Sequence, residues 1–425
     1  MNRSHSSNTA KWRSVRIGDV VLEMAAGTSV NGSDQSSMGA QPAVLKISAV
    51  TEGVFKPEEN KVIVEADISF ASRPPKAGRV LVSRANTPEL VGASAYVSQD
   101  YDYLFLPDKL WMIEHDPKLI ASAKWLHELL TSSSYRQKLR DIATGSSNSM
   151  KNISQEAFLG LRIALPPPQI QIAIAEVADC WNISIQKSTA LLTALEQRKQ
   201  GLMQQLLTGR RRLKGFKGKW REVALDHVLE RVTRKNSNGC SNALTVSAQR
   251  GLVAQGSYFA KQIAAEVNEH YVLLKKGEFA YNRSAANGYP FGAIKRLEAH
   301  DEGIVSTLCL CFGVRDAGVL DSDFLVWLIE AGQLDRAICR IAHEGARSHG
   351  LLNVTASDFF GIKASIPGFA EQRAIATILN DVKVEIEALQ SQIEALKTQK
   401  RALMQKLLSG EWRMPKAAFS RKDST

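Results

Sequence analysis

Recognisable chemistry is what this chain lacks first. Its 425 residues hold no Gly-x4-Gly-Lys-Ser/Thr phosphate loop and no Gly-x-Gly-x-x-Gly turn after a strand. The Asn/Asp-Pro-Pro-Tyr/Phe loop of amino-methyltransferases is also missing, and Leu165-Pro-Pro-Pro168 reads as the start of a helix instead. Five cysteines (Cys180, Cys240, Cys309, Cys311, Cys339) include no Cys-x-x-Cys pair and no Cys/His metal spacing, so reduced thiols in a cytoplasmic protein are expected. Eight histidines are scattered without evident partners. No run of 18 apolar residues exists to span a membrane, and the polar, Ser-rich Met1 to Lys11 has no apolar core of a secretory signal. Together these absences predict a cytoplasmic protein that is not an enzyme, holds no metal and binds no cofactor.

Hydrophobic content of 44% and charged content of 23% are ordinary for globular domains. The formal charge of +11 is less ordinary and favours a polyanionic partner. The dominant feature is a duplication. With Gly160 set against Gly361, two copies stay in register without a gap at a separation of 201 residues. Each opens on Pro (Pro166, Pro367) and closes on nearly the same words, Gly201-Leu-Met-Gln-Gln-Leu-Leu-Thr-Gly209 and Ala402-Leu-Met-Gln-Lys-Leu-Leu-Ser-Gly410, with six of nine positions identical. A period this long implies a duplicated module, not a solenoid.

Between those marks each copy spells a helical seam. Ile375, Leu379, Val382, Ile386, Leu389, Ile393, Leu396, Leu403 and Leu407 follow a 4-3 alternation, interrupted by Lys400. The first copy fills the seam with Ile174, Ala178, Trp181, Ile185, Ser188, Leu192, Leu195, Lys199, Leu202 and Leu206. Pro ahead of each run and Gly209 and Gly410 behind it mark the starts and stops. About 40 residues make a rod on the order of 60 Å. Such seams need a partner, and the other copy, returning antiparallel, is the obvious one. Lys199 and Lys400 are expected to specify register.

The globular parts repeat too. Lys11-Trp12-Arg13 opens the first and Lys219-Trp220-Arg221 the second, with both tryptophans expected to seat a half against a helix end. Val80–Ser83 and Leu308–Phe312 have strand-like bulk, while Leu119–Leu130 and Asp323–Leu334 look helical. The predicted organisation is a tail at 1–10, a first globular domain at 11–155, and a helix with basic linker at 156–215. A second domain at 216–358, a second helix at 359–414 and a tail at 415–425 follow. The class is α+β: two domains joined by two long antiparallel coiled-coil helices in a pseudo-twofold duplication.

Three features point to nucleic acid. Ser83-Arg84-Ala-Asn86-Thr-Pro-Glu-Leu-Val-Gly92 lies against Asn282-Arg283-Ser-Ala-Ala-Asn287-Gly-Tyr289-Pro-Phe-Gly292, each placing Arg at a strand end before a polar loop. A guanidinium there can fork onto a phosphate or a guanine edge, and Asn86 or Asn287 can reach an adenine edge. The same arginines can instead pair with a carboxylate and brace the loop. A second matched pair precedes each helix: Thr144 to Ile153, with Ser146, Ser147, Asn148 and Lys151, and Glu344 to Val354, with Arg347 and Ser348. Hydroxyls beside Gly leave N–H groups free for an anion, although a plain connector has the same composition. Finally, Arg210-Arg211-Arg212 opens a run of seven cations in twelve residues, suited either to solvation as a linker or to phosphate neutralisation.

The whole chain resembles the specificity subunits of type I restriction–modification systems. The resemblance rests on the duplicated Leu/Ile-Pro opening with Gln171 and Glu371-Gln372, the long helices, the Leu-Met-Gln-x-Leu-Leu-x-Gly endings, and the loop words around Arg84 and Tyr281-Asn282-Arg283. One departure is Ile170, where the usual acidic residue before Gln is kept only in the second copy as Glu371. The resemblance implies two target recognition domains, each reading half of a split, asymmetric site on double-stranded DNA, with the helices setting the unread gap. It implies two docked adenine methyltransferase subunits that supply the S-adenosylmethionine site, and translocase–nuclease subunits that join them. The alternatives are a helical adaptor that never reads DNA, and a methyltransferase or nuclease with drifted motifs.

Overall fold

A computed structural model describes residues 12–39, 41–145, 149–255, 269–285, 288–344 and 352–412. Both expected tails lie outside them. Packing divides the chain into two compact units, Met1–Thr189 with Ser391–Thr425, and Ala190–Gln390. The division falls inside both long helices, Pro168–Leu206 and Phe369–Ser409. Each unit therefore holds one globular half, the beginning of the helix that follows it, and the end of the other helix.

In the first unit a four-stranded antiparallel sheet has the order Val21–Ala26, Leu110–His115, Val80–Ser83, Ser94–Tyr96. The second repeats it with Leu229–Arg231, Leu310–Val314, Phe279–Asn282 and Ala293–Arg296. Period-2 alternation sends successive side chains to opposite faces, and here both faces are covered. Val80 and Val82 join the core that contains helix residues, whereas Leu81 joins a smaller core on the far face. Phe279 and Tyr281 divide from Ala280 in the same way. This explains the unbroken apolar runs in these strands.

The strand-like stretch at Leu308–Phe312 begins two residues later than expected, and Leu308 is exposed. The helix expected from Leu119 starts at Ala123, because the Ser122 hydroxyl caps the Trp125 amide there. Its counterpart Ser322–Glu330 is capped by Asp321 and ends before Gly332, whose φ of +65° breaks the helix expected to reach Leu334.

Each long helix begins beside the first strand of its own domain. Arg13–Arg16 pairs with Arg162–Leu165, and Arg221–Ala224 pairs with Lys363–Ile366, just ahead of the two helices. The next fastening is a buried glutamine. Gln171 donates to the Leu119 and Pro166 carbonyls (2.9 Å each) and accepts from the Ala121 amide (2.9 Å). Gln372 makes the same three bonds, to Val319 and Pro367 (3.0 Å each) and from Asp321 (2.8 Å). Both side chains are fully buried.

The helix ends exchange partners. Met404, Leu407 and Leu408 lie in the first unit's core with Ile174, Ala175 and Ala178. Met203, Leu206 and Leu207 lie in the second unit's core with Ile375, Ala376 and Leu379. In each unit the start of one helix thus meets the end of the other. Gly410 (φ +75°) closes against the Trp12 ring and Gly209 (φ +68°) against Trp220, where a Cβ would come to about 3.4 Å from the indole. The tryptophans seat the helix ends as expected. Of the remaining seam positions, Leu195, Ile386, Leu389 and Ile393 are buried, while Trp181, Ile185, Leu192 and Leu396 are half-buried.

Lys400 donates to the buried Glu128 carboxylate (2.9 Å), which also accepts from Asn182 (3.2 Å). One carboxylate therefore ties a domain helix to both long helices, a specific role for the polar seam position. Beside it, burial holds the His127 imidazole below its ordinary value; Lys400 pushes the same way and Glu128 opposes.

Two outcomes are expected. Gln372→Leu leaves one amide and two carbonyls without their partner, so a loss of roughly 2–5 kcal/mol should appear as a lower urea midpoint. His127 is a base with a depressed folded pKa, so its contribution to stability is present above the unfolded value near 6.5 and is lost as pH falls through it. The wild-type midpoint should drop as pH falls below about 6.5, and His127→Gln should flatten that part of the profile.

Candidate nucleic-acid interface

The two loop families, far apart in sequence, meet within each unit. In the first, Ala85–Asn86 pairs with Lys151–Asn152, and the Ile153 amide donates to the Arg84 carbonyl (2.8 Å). Thr144 and Asn152 exchange two amide bonds of 2.8 Å, closing the neck of the loop between them. In the second, the Leu352 amide donates to the Arg283 carbonyl (2.8 Å), and His343–Glu344 pairs with Leu352–Asn353 at the equivalent neck. One arginine-bearing turn and one necked loop thus form a cluster in each unit.

The arginines brace this cluster through main-chain carbonyls, not through carboxylates. Arg84 Nε donates to the Asp108 carbonyl (2.8 Å). Arg283 spans two segments: Nε and Nη2 reach the Leu308 carbonyl (3.2 and 2.9 Å), and Nη1 reaches Val354 (2.8 Å). Arg84 keeps both terminal nitrogens without a hydrogen bond among the described residues, which leaves donors for an anion. Asn86 is half-buried, donating to the Ser83 hydroxyl (3.3 Å) and accepting from the Thr87 amide (2.8 Å). Lys151 donates to the Gly145 carbonyl (2.6 Å). Tyr289 is half-buried with the Lys295 ammonium 6.0 Å from its ring centre. Ser146, Ser147, Asn148, Asn287, Arg347 and Ser348 lie outside the described residues.

Two arginines that the sequence did not single out hold the first turn. Arg136 donates to the Val91 and Glu89 carbonyls (2.8 Å each), and Arg140 to Glu89 (3.0 Å). Their i,i+4 spacing on the helix Ser133–Asp141 was the available signal of a shared face. Burial, then the like charge of Arg140, pushes Arg136 down to about 10, and it stays cationic at neutral pH. In the second unit Gly292 (φ +79°) closes the turn where a Cβ would lie 2.3 Å from the Asn282 carbonyl. The buried Tyr281 hydroxyl donates to Phe291 (2.7 Å), and burial pushes that phenol up to about 12.

The basic run separates into different roles. Arg210 and Arg211 are exposed, the latter 3.4 Å from the Gln205 amide oxygen. Arg212, expected with them at a polyanion, instead makes a two-bond fork (2.6 and 2.5 Å) to Glu371, whose side chain is 3% exposed. A buried carboxylate needs a charge partner, and this demand holds the guanidinium at the base of the second helix. The first copy has Ile170 in place of Glu371 and packs it against the core.

Among the described residues, no group of three or more His, Cys, Asp or Glu is placed to hold a metal ion, and no helix is long and apolar enough to cross a membrane. All five cysteines are free; burial pushes Cys309 up to about 11 and Cys311 to about 12, away from thiolate chemistry.

An α+β chain with a loop cluster on each of two like domains, each core holding the start of one long helix and the end of the other, is a duplicated scaffold. Its fold is that of the type I restriction–modification specificity subunits. The S subunit from M. genitalium matches with a TM-score of 0.57 at 12% identity, covering 97% of this chain and 99% of that one. A chain from a type I R-M system, from a structure concerned with complex assembly and conformational transition, matches with a TM-score of 0.55 at 16% identity over 95% and 99%. In sequence, 188 residues are 30% identical to the specificity subunit of the Escherichia coli type I restriction enzyme EcoEI, spanning 43% of this chain and 31% of that relative. No family model matches.

Arg283→Lys keeps the charge but cannot bridge the Leu308 and Val354 carbonyls. Hydrogen exchange at the Leu352 amide should quicken severalfold in this variant, with little change in protection of the central sheet.

Proposed function

We propose that this chain is the DNA sequence-specificity subunit of a type I restriction–modification complex. The carrying observation is that one fastening scheme recurs twice around different surroundings. Gln171 and Gln372 make identical bonds, and an arginine anchors the same loop pair in both units. The turns differ: Arg136 and Arg140 hold the first through the Glu89 and Val91 carbonyls, whereas the Tyr281 hydroxyl and Gly292 close the second. Like scaffolds with unlike loops suit two readers of unlike half-sites. The fold matches and the sequence match to a specificity subunit support the same reading.

In this reading each domain recognises one half of a split site on double-stranded DNA, and the long helices set the spacer. Two adenine methyltransferase subunits dock on the chain and carry S-adenosylmethionine, and translocase–nuclease subunits join them. The chain contributes recognition and no bond-making step; the methyltransferase flips the target adenine. Braced loops fit this task, because a rigid donor array loses little conformational entropy on binding.

Mapping adenine methylation across the genome with and without the chain is the test. One split, asymmetric motif should lose its methylation when the chain is removed; an unchanged map overturns the proposal. Sequence-independent or absent DNA binding by the chain with its methyltransferase favours the adaptor alternative, and S-adenosylmethionine binding by the purified chain favours an enzyme. Exchanging residues 216–358 for a relative's domain should alter one half-site only. A heptad added to both helices lengthens each by roughly 10 Å and should widen the spacer by about three base pairs, leaving both half-sites as they were.

A further inference from the structure

We infer that an open cleft in the first unit, next to the Arg84 turn, takes the sugar–phosphate backbone of duplex DNA; this rests on the DNA-recognition reading above. The cleft has a volume of about 280 Å³, and its lining includes Ser29, Val44, Lys46, Lys61, Pro107 and Lys109. The segment at Gly27–Gly32 forms one lip, held so close that a Cβ on Gly27 would lie 1.7 Å from the Leu106 carbonyl and one on Gly32 2.7 Å from the Lys61 Cβ. Amide bonds from Gly27 to Pro107 and from Thr28 to Leu106 (3.2 Å each) fix that lip. The cleft is thus a built feature of the domain.

Its charge is poorly neutralised. Lys46 has its carboxylate partner Glu59 at 4.0 Å, and Lys61 has the exposed Asp34 at 3.5 Å. Lys109 forms no ion pair among the described residues. Such long, solvated pairs contribute little and exchange readily for a stronger anion. Asp108 also lines the cleft, leaving three cations against one carboxylate on the wall itself.

The cleft is coupled to the loop cluster through one short segment. Pro107, Asp108 and Lys109 line it, and the next atoms along are those that hold Arg84: its amide donates to the Lys109 carbonyl (3.0 Å) and its Nε to the Asp108 carbonyl (2.8 Å). The cleft wall and the Arg84 turn thus share the Asp108–Lys109 backbone. Lysine ammoniums are point charges without a planar fork, so they suit phosphates and carry no base preference. The cleft places the duplex; the loops beside it read.

The test compares the full-length chain with the combined variant Lys46→Gln, Lys61→Gln and Lys109→Gln, on mixed-sequence duplex DNA and on duplex carrying the methylated motif, between about 50 and 200 mM salt. The lost contacts should make the slope of log affinity against log salt shallower by about 2–3. Binding to both duplexes should weaken together, with the preference between them unchanged and the urea midpoint preserved. Asp34→Asn, which frees Lys61, should strengthen binding to both duplexes. An unchanged slope in a variant that still prefers its motif overturns the cleft while leaving the specificity reading intact. A collapse of the preference overturns backbone placement in favour of base reading, and tighter lysine-dependent binding of single-stranded RNA overturns duplex DNA as the occupant. Wild-type chain that prefers no motif even with its methyltransferase overturns the specificity reading, while the salt slope of the variant still decides the cleft.

Discussion

The structure depends on two buried side-chain amides. Gln171 and Gln372 stand in the first turn of the two long helices, and each satisfies three main-chain groups at once. Two of those groups belong to the loop that leads into a domain helix, and the third is the prolyl carbonyl just ahead of the long helix. A buried amide has strict geometric demands, because any missing partner leaves a desolvated group. The angle at which each rod leaves its domain is therefore set by hydrogen bonds and not by apolar packing alone, which tolerates sliding.

With the departures set, the returning ends complete each core. The first globular half takes its apolar cover from Met404, Leu407 and Leu408, and the second takes the same cover from Met203, Leu206 and Leu207. Neither globular half buries its helix-facing core by itself. The residues that tighten these contacts differ between the copies. Glu128 with Lys400 and Asn182 has no equivalent ion pair among the described residues of the second unit, where Trp327 donates to Asn380. The same holds at the helix base, where Glu371 holds Arg212 and Ile170 packs against apolar neighbours. Polar and ionic contacts of this kind discriminate between partners more than they stabilise, and they favour each helix end in its proper site.

Upon that frame the loop clusters gain rigidity from arginines directed at carbonyl oxygens. Arg84, Arg136, Arg140 and Arg283 all donate to main-chain carbonyls, so these four cations support loop shape. Guanidinium groups suit this double duty, since five donors leave some for an external anion after the inner ones are satisfied. The +11 charge is accordingly a mixed quantity: part braces, part steers.

Much was legible in the residues alone because it is periodic or punctuated. The 201-residue duplication, the seam of Ile375 to Leu407, the Gly209 and Gly410 stops, and the seating of Trp12 and Trp220 follow from spacing, glycine's access to positive φ and bulk. Local signals fell short at Leu119 and Leu334, where the Ser122 cap and the Gly332 turn set the boundary. Only the tertiary structure decided the partners: that Arg212 belongs to Glu371, that Arg84 and Arg283 hold carbonyls, that the two loop families share one cluster, and that each core is closed by the other copy's helix end. Those pairings join residues dozens to hundreds of positions apart, and local spacing carries no record of which distant group a side chain will meet.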